Sequence, residues 1–91
     1  MPGTLHMDVD SCRSTQSQIQ TVHDQIEQQM SSIRTGVDGM VGSTWIAPGA
    51  TQFQNNIHDW ANSVTQLLTN LNDLSSYLQK EIAEWEAAAA N

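Results

Sequence analysis

Basic side chains are almost missing from this sequence. Arg13, Arg34 and Lys80 stand against ten carboxylates, for a formal net charge of −7 and a pI near 4.4. Neutralising phosphates takes clustered Lys or Arg, so nucleic acid is excluded as a partner. The same shortage removes electrostatic docking on anionic membranes. Cysteine is nearly absent too. Cys12 stands alone, which rules out an internal disulfide and a cysteine-based metal cluster and leaves a small, half-buried packing role. No run approaches the roughly 20 apolar residues that cross a bilayer, so no stable membrane insertion is expected. The opening stretch, MPGTLHMDVDSC, has neither the basic start nor the apolar core of an ordinary cleavable signal peptide. With 91 residues there is room for one domain, residues 1–91.

Glycine and proline are scarce except in two places, and that punctuation organises the chain. Pro2 and Gly3 mark a loose lead-in. Gly36, Gly39, Gly42, Pro48 and Gly49 cluster near the middle, and neither residue type recurs after Gly49. Between these breaks the apolar residues step by three and four. In the first segment they are Ile19, Val22, Ile26, Met30, Ile33, Val37 and Met40, with Ile19, Ile26, Ile33 and Met40 each seven apart. Gln, Ser, Thr, Asp and Glu fill the gaps. This is one apolar stripe on a helix with a wet opposite face. Asp10 is the expected N-cap, since its carboxylate can accept an orphan amide of the first turn. Gly42 is the expected left-handed closing residue, and Pro48 suits the first turn of a new helix. The expected bounds are helix 1 over about 10–41, a turn over about 42–48, and helix 2 over about 49–88.

The second segment is more regular. Phe53, Ile57, Trp60, Val64, Leu67, Leu71, Leu74 and Leu78 alternate steps of four and three, and Ile82 and Trp85 extend the stripe after a phase slip at Glu81. Trp60 occupies a heptad core position. No strand-like alternation occurs. The expected fold class is all-α, an antiparallel two-helix hairpin with a short connection. Leu68, Ala61 and Trp60 broaden the stripe beyond what one facing helix covers, and a chain this short buries little surface alone. Pairing with a second chain as a dimeric four-helix bundle is therefore expected, whether homodimer or heterodimer.

Catalytic and cofactor signals are wanting. His23 and Glu27 stand four apart, and His58 precedes Asp59, but two ligands do not make a metal site and no HExxH or Cys/His set occurs. No Ser or Cys has a recognisable base arrangement, and neither glycine-rich stretch has phosphate-loop spacing. Neither enzymatic activity nor a cofactor is expected. Asp73 and Glu84 read as solvated charges.

In length, in its central turn and in its aromatic spacing the whole chain resembles the WXG family of small type VII (ESX) secretion proteins, the early-secreted-antigen type. The turn motif of that family, Trp-X-Gly, corresponds here to Trp45-Ile46-Ala47, followed by Pro48-Gly49. Phe53 and Trp60 match two aromatic positions the family commonly carries after the turn. Ala47 replaces the motif glycine, and because Ala disfavours positive φ the turn is expected to differ locally.

The resemblance implies a substrate and structural effector, exported as a folded helical dimer by an FtsK/SpoIIIE-type secretion ATPase. Export would bypass a signal peptide and leave a cytoplasmic pool behind. It also implies an export signal near the end of helix 2. Tyr77 and Glu81 fit a Tyr-xxx-Asp/Glu pattern and share one face. Ile82 and Glu86 fit a hydrophobic-xxx-acid pattern, and a partner chain could carry the signal instead. Trp45 is read as a plug for the hairpin end, as part of a surface the ATPase recognises, or as both. Trp85 is read either as packing or as an exposed contact. The alternative function is a non-exported adaptor or chaperone hairpin for a larger secreted toxin or scaffold. Membrane perturbation by the amphipathic helices is a third reading, weakened by the missing basic face.

Overall fold

A computed structural model describes residues 5–90; the lead-in expected around Pro2 and Gly3 lies outside them. Two helices make up the fold: α1, Val9–Met40, and α2, Pro48–Ala90. They pack antiparallel into a rod of 66 × 21 × 19 Å, and no strand occurs among the described residues.

The start of α1 differs from the sequence expectation. Asp8, not Asp10, is the N-cap: its backbone is extended (φ −81°, ψ 98°) and its Oδ1 accepts the Ser11 amide at 3.0 Å. That bond, first of all, holds the Asp8 carboxyl below its ordinary pKa. Asp10 falls two residues further on, within the first turn of the helix, where its negative charge still complements the helix dipole. Two aspartates separated by one residue can both start the pattern, and only backbone geometry chooses between them.

At the other end α1 stops at Met40, and Val41 is its C-cap in extended geometry. Gly42 follows with φ +90°, and no non-glycine residue has positive φ among those described. Ala47 is therefore unstrained, and the substitution at the motif glycine carries no conformational penalty. Pro48 opens α2, where its missing N–H would have had no helical acceptor.

The interior is a thin strip between the helices. Met30 and Val37 of α1 are buried, as are Ala50, Ala61, Leu68, Ser75 and Ile82 of α2. Ala61, Leu68, Ser75 and Ile82 are seven apart. They alternate with Ile57, Val64, Leu71 and Leu78, each half-buried, and Trp85 is half-buried at the end of that row. Two of the four residues in that buried row, Ala61 and Ser75, are thus small, and small side chains let helix axes approach closely.

Trp60, expected in the core from its heptad position, is instead 42% exposed. Its row, with Phe53, Leu67 and Leu74, lies about 100° around α2 from the Ala61 row, with the shared Ile57, Val64, Leu71 and Leu78 between them. Charged and polar cross-helix contacts sit on one face of the rod only. Arg13 pairs with Glu86 near the open end. Near the turn, Asp38 Oδ1 accepts from Gln54 Nε2 at 2.9 Å and lies 3.0 Å from His58 Nε2.

Candidate functional site at the hairpin tip and an uncovered apolar face

The turn is built around one carbonyl. Met40 O accepts the amides of Ser43 (3.3 Å), Thr44 (3.0 Å) and Trp45 (3.0 Å), while Trp45 O accepts the Gly42 amide at 3.0 Å. Ser43 Oγ donates to Gly39 O at 2.6 Å. Helix carbonyls that would otherwise lack partners are satisfied in this way. Trp45 is held at both its backbone groups, so the turn determines where the indole goes. The indole lies against the first turn of α2: a Cβ added to Gly49 would stand 3.7 Å from Trp45 Cζ2. The Phe53 ring, one turn on, lies 5.7 Å away between centroids at 50°, a tilted arrangement favourable for aromatic pairs. Trp45 remains 38% exposed, and Ile46 beside it is almost fully so. The tip is therefore a fixed aromatic step with a wet edge. Ala47 O accepts the Ala50 amide at 3.0 Å, which starts α2.

From this tip an apolar ribbon runs down α2. Phe53, Trp60, Leu67 and Leu74 are each one heptad apart and keep 38, 42, 57 and 62% of their surface exposed. Over these four residues the ribbon is about 31 Å long. Ile57, Val64, Leu71 and Leu78 border it and are shared with the hairpin interior. On α1 the same face carries Val22 and Ile33, both exposed, with Ile19, Ile26 and Met40 half-buried. Thr15, Gln18, Ile19, Val22 and Leu71 line an apolar groove between the helices on this face. A continuous apolar patch of this length is unusual on a protein that acts alone.

The C-terminal candidates divide by orientation. Tyr77 is well exposed, and Glu81, one turn later, is half-buried. Both lie on the edge of α2 that continues the ribbon beyond Leu74. Ile82 is buried beneath α1, and Glu86 is engaged by Arg13 on the opposite face. Trp85 is half-buried and lines a shallow apolar depression with Ala88 and Ala89.

Titratable groups elsewhere form no reactive cluster. The Asp38 carboxyl is held below its ordinary pKa, first by the Gln54 hydrogen bond and then by His58. Asp24 is lowered similarly by His23 and Gln20. Among the described residues no three His, Cys, Asp or Glu side chains stand together as metal ligands, and no helix is long and apolar enough to cross a membrane.

Sequence reasoning placed Phe53, Trp60, Leu67 and Leu74 in one seam with Ile57, Val64, Leu71 and Leu78 and named Ala61 as broadening it, but it missed Ala50 and Ser75. Ala50, Ala61 and Ser75 carry little apolar signal. Their trace was the seven-residue spacing of Ala61, Leu68, Ser75 and Ile82 beside the stronger series. Among known families, the one described as proteins of 100 residues with WXG matches residues 4–90. No individual curated protein and no solved structure gives a match.

Proposed function

The chain belongs to the WXG100 family of type VII secretion-associated small helical proteins, and from that membership we propose that it is a non-catalytic substrate and structural effector exported as a folded dimer. Its partner is a second WXG-family chain, seated on the ribbon of Phe53, Trp60, Leu67 and Leu74. The uncovered ribbon is the observation that carries the dimer, because it leaves four large apolar side chains, one heptad apart, substantially exposed to water. At about 25 cal/mol per Å², covering such side chains is a substantial driving force for association.

Export proceeds without a cleavable signal, through an FtsK/SpoIIIE-type ATPase, from a cytoplasmic pool. Of the two candidate signals on this chain, Tyr77/Glu81 is the better placed. Tyr77 is accessible without unfolding, whereas Ile82 and Glu86 are spent on holding the hairpin. The aromatic step of Trp45 and Phe53 is the second element of the recognised surface. Its wet edge is presented at the opposite end of α2 by a turn whose amides converge on Met40.

The test is export from cells with an active type VII system. The protein is expected in the culture supernatant, and expected to vanish from it when the ATPase is inactivated. Retention in the cell under those conditions would instead favour an adaptor or chaperone hairpin for a larger secreted toxin or scaffold. Tyr77→Ala should stop export while leaving the helical circular dichroism signal intact. Unchanged export of that variant would move the signal to the partner chain.

A further inference from the structure

We propose that Asp38 is the positioning residue of the hairpin tip, tying the opening turns of α2 to the end of α1 so that the Trp45–Phe53 step presents one fixed edge. This role rests on the step being part of the recognised surface, the reading given above, and it names what holds the step in place.

Asp38 is a poor choice for its own helix. It occupies the last turn of α1, which ends at Met40 and carries no basic residue in that turn. A carboxylate near a helix C-terminus opposes the helix dipole, and Asp is a weaker helix former than Ala. Such a local conflict points to an interaction outside the helix. That interaction is visible. A single oxygen, Oδ1, accepts Gln54 Nε2 at 2.9 Å and lies 3.0 Å from His58 Nε2. An ionised carboxylate can only accept, so His58 is the donor. The Gln54 bond, then His58, then Arg34 one turn earlier on α1 favour the ionised form. Gln54 and His58 are four apart on one face of α2, and Asp38 bridges both.

These contacts close a circuit through the tip. Asp38 stands two residues before Met40, whose carbonyl accepts the Trp45 amide at 3.0 Å. The Trp45 indole meets the Phe53 ring at 5.7 Å between centroids. Gln54 follows Phe53 and returns to Asp38. The turn fixes the backbone of Trp45, but Phe53 travels with α2. The aromatic step therefore keeps its geometry only while the opening turns of α2 stay in register on α1.

Apolar packing at this end is thin. Val37 and Ala50 are buried, whereas Trp45 and Phe53 each keep 38% of their surface exposed. Hydrophobic contact is also non-directional, while hydrogen bonds fix angle and distance. Two further polar contacts join the helices, Thr65 with Met30 and Arg13 with Glu86. They lie about 10 and 42 Å beyond His58 along α2 at 1.5 Å per residue, too far along the rod to set the tip.

The full chain labelled with 5-fluorotryptophan carries three fluorine reporters, at Trp45, Trp60 and Trp85, and Trp45→Phe identifies the first line by its loss. Asp38→Ala should shift the Trp45 line toward the position of the free amino acid. The other two lines and the helical circular dichroism should stay unchanged, and export into the culture supernatant should fall. Gln54→Ala, which removes one of the two bonds from the other helix, should shift the same line. Asp38→Asn keeps an oxygen for Gln54 and His58 and should leave both readouts near wild type. An unmoved Trp45 line in Asp38→Ala overturns the proposal. Equal movement of all three lines also overturns it, since that marks a residue that only supports the fold. Loss of export in Trp45→Ala but not in Asp38→Ala defeats the role of Asp38 and leaves the tip in the recognised surface. Wild-type export of Trp45→Ala removes the tip from that surface, and the role of Asp38 falls with it.

Discussion

Two adjacent leucines on α2 provide the sharpest test of which face does what. Leu68 is 4% exposed and points at α1; Leu67 is 57% exposed and points away from it. Truncating Leu68 to Ala removes buried methylenes and leaves a cavity, a change that costs about 2–5 kcal/mol in packed cores, and the narrow hairpin, which can collapse around the gap, places it near the lower half, about 3 kcal/mol. Truncating Leu67 in an isolated hairpin removes a side chain that was less than half covered, worth at most about 1 kcal/mol of the 1.5–3 kcal/mol for full burial. In a chain of this length each kcal/mol moves Tm by about 4–8 °C, so Leu68→Ala should lower it by about 12–24 °C. Its effect should be much the same at 2 and at 200 µM. Leu67→Ala should behave differently. Its Tm should fall most where the wild-type protein is dimeric, because association stabilises the folded form by mass action. Thermal unfolding followed at 222 nm at both concentrations measures this. Equal and concentration-independent losses for the two variants would refute the assignment of Leu68 to the interior and Leu67 to the contact face.

The glycines should separate by backbone conformation. Gly39 lies in α1 with open space around its Cβ position, so Gly39→Ala should stabilise by up to about 1 kcal/mol. Gly42→Ala, at φ +90°, should cost about 1 kcal/mol. Urea unfolding of both variants gives the signs, and a stabilising Gly42→Ala would show that the turn does not hold that φ. Asp38 supplies a pH dependence. Its folded pKa lies below the ordinary 3.8, chiefly through Gln54 and then His58. Its contribution is therefore present above 3.8 and lost as pH falls through the lowered folded value. Unfolding curves from pH 6 to pH 2 should show a smaller acid loss for Asp38→Asn than for wild type; identical curves would count against the bond. Export of Glu86→Ala should match wild type, since Glu86 faces Arg13 rather than the ribbon, and supernatant immunoblots would reveal any defect.

Much of the architecture was legible in the order of residues. Ile19 through Met40 and Phe53 through Leu78 each repeat at helical intervals, and no competing pattern occurs between them. Gly42 and Pro48 mark the one break, for the plain reason that one tolerates positive φ and the other lacks an amide. The family resemblance was visible from the same turn. The capping residue was not, because Asp8 and Asp10 are chemically equivalent candidates and the choice depends on where the backbone leaves the extended region.

The side of α2 that meets α1 was decided only by the tertiary structure. Two heptad rows flank Ile57, Val64, Leu71 and Leu78: one with Phe53, Trp60, Leu67 and Leu74, the other with Ala61, Leu68, Ser75 and Ile82. Hydrophobicity ranks the first row higher, and periodicity alone cannot tell neighbouring rows apart when both share their middle. Packing within the hairpin uses the second row, because small residues permit close approach of two helices whereas a Trp and a Phe would hold them apart. The larger side chains are thereby left facing water, because the hairpin's own interior had no room for them.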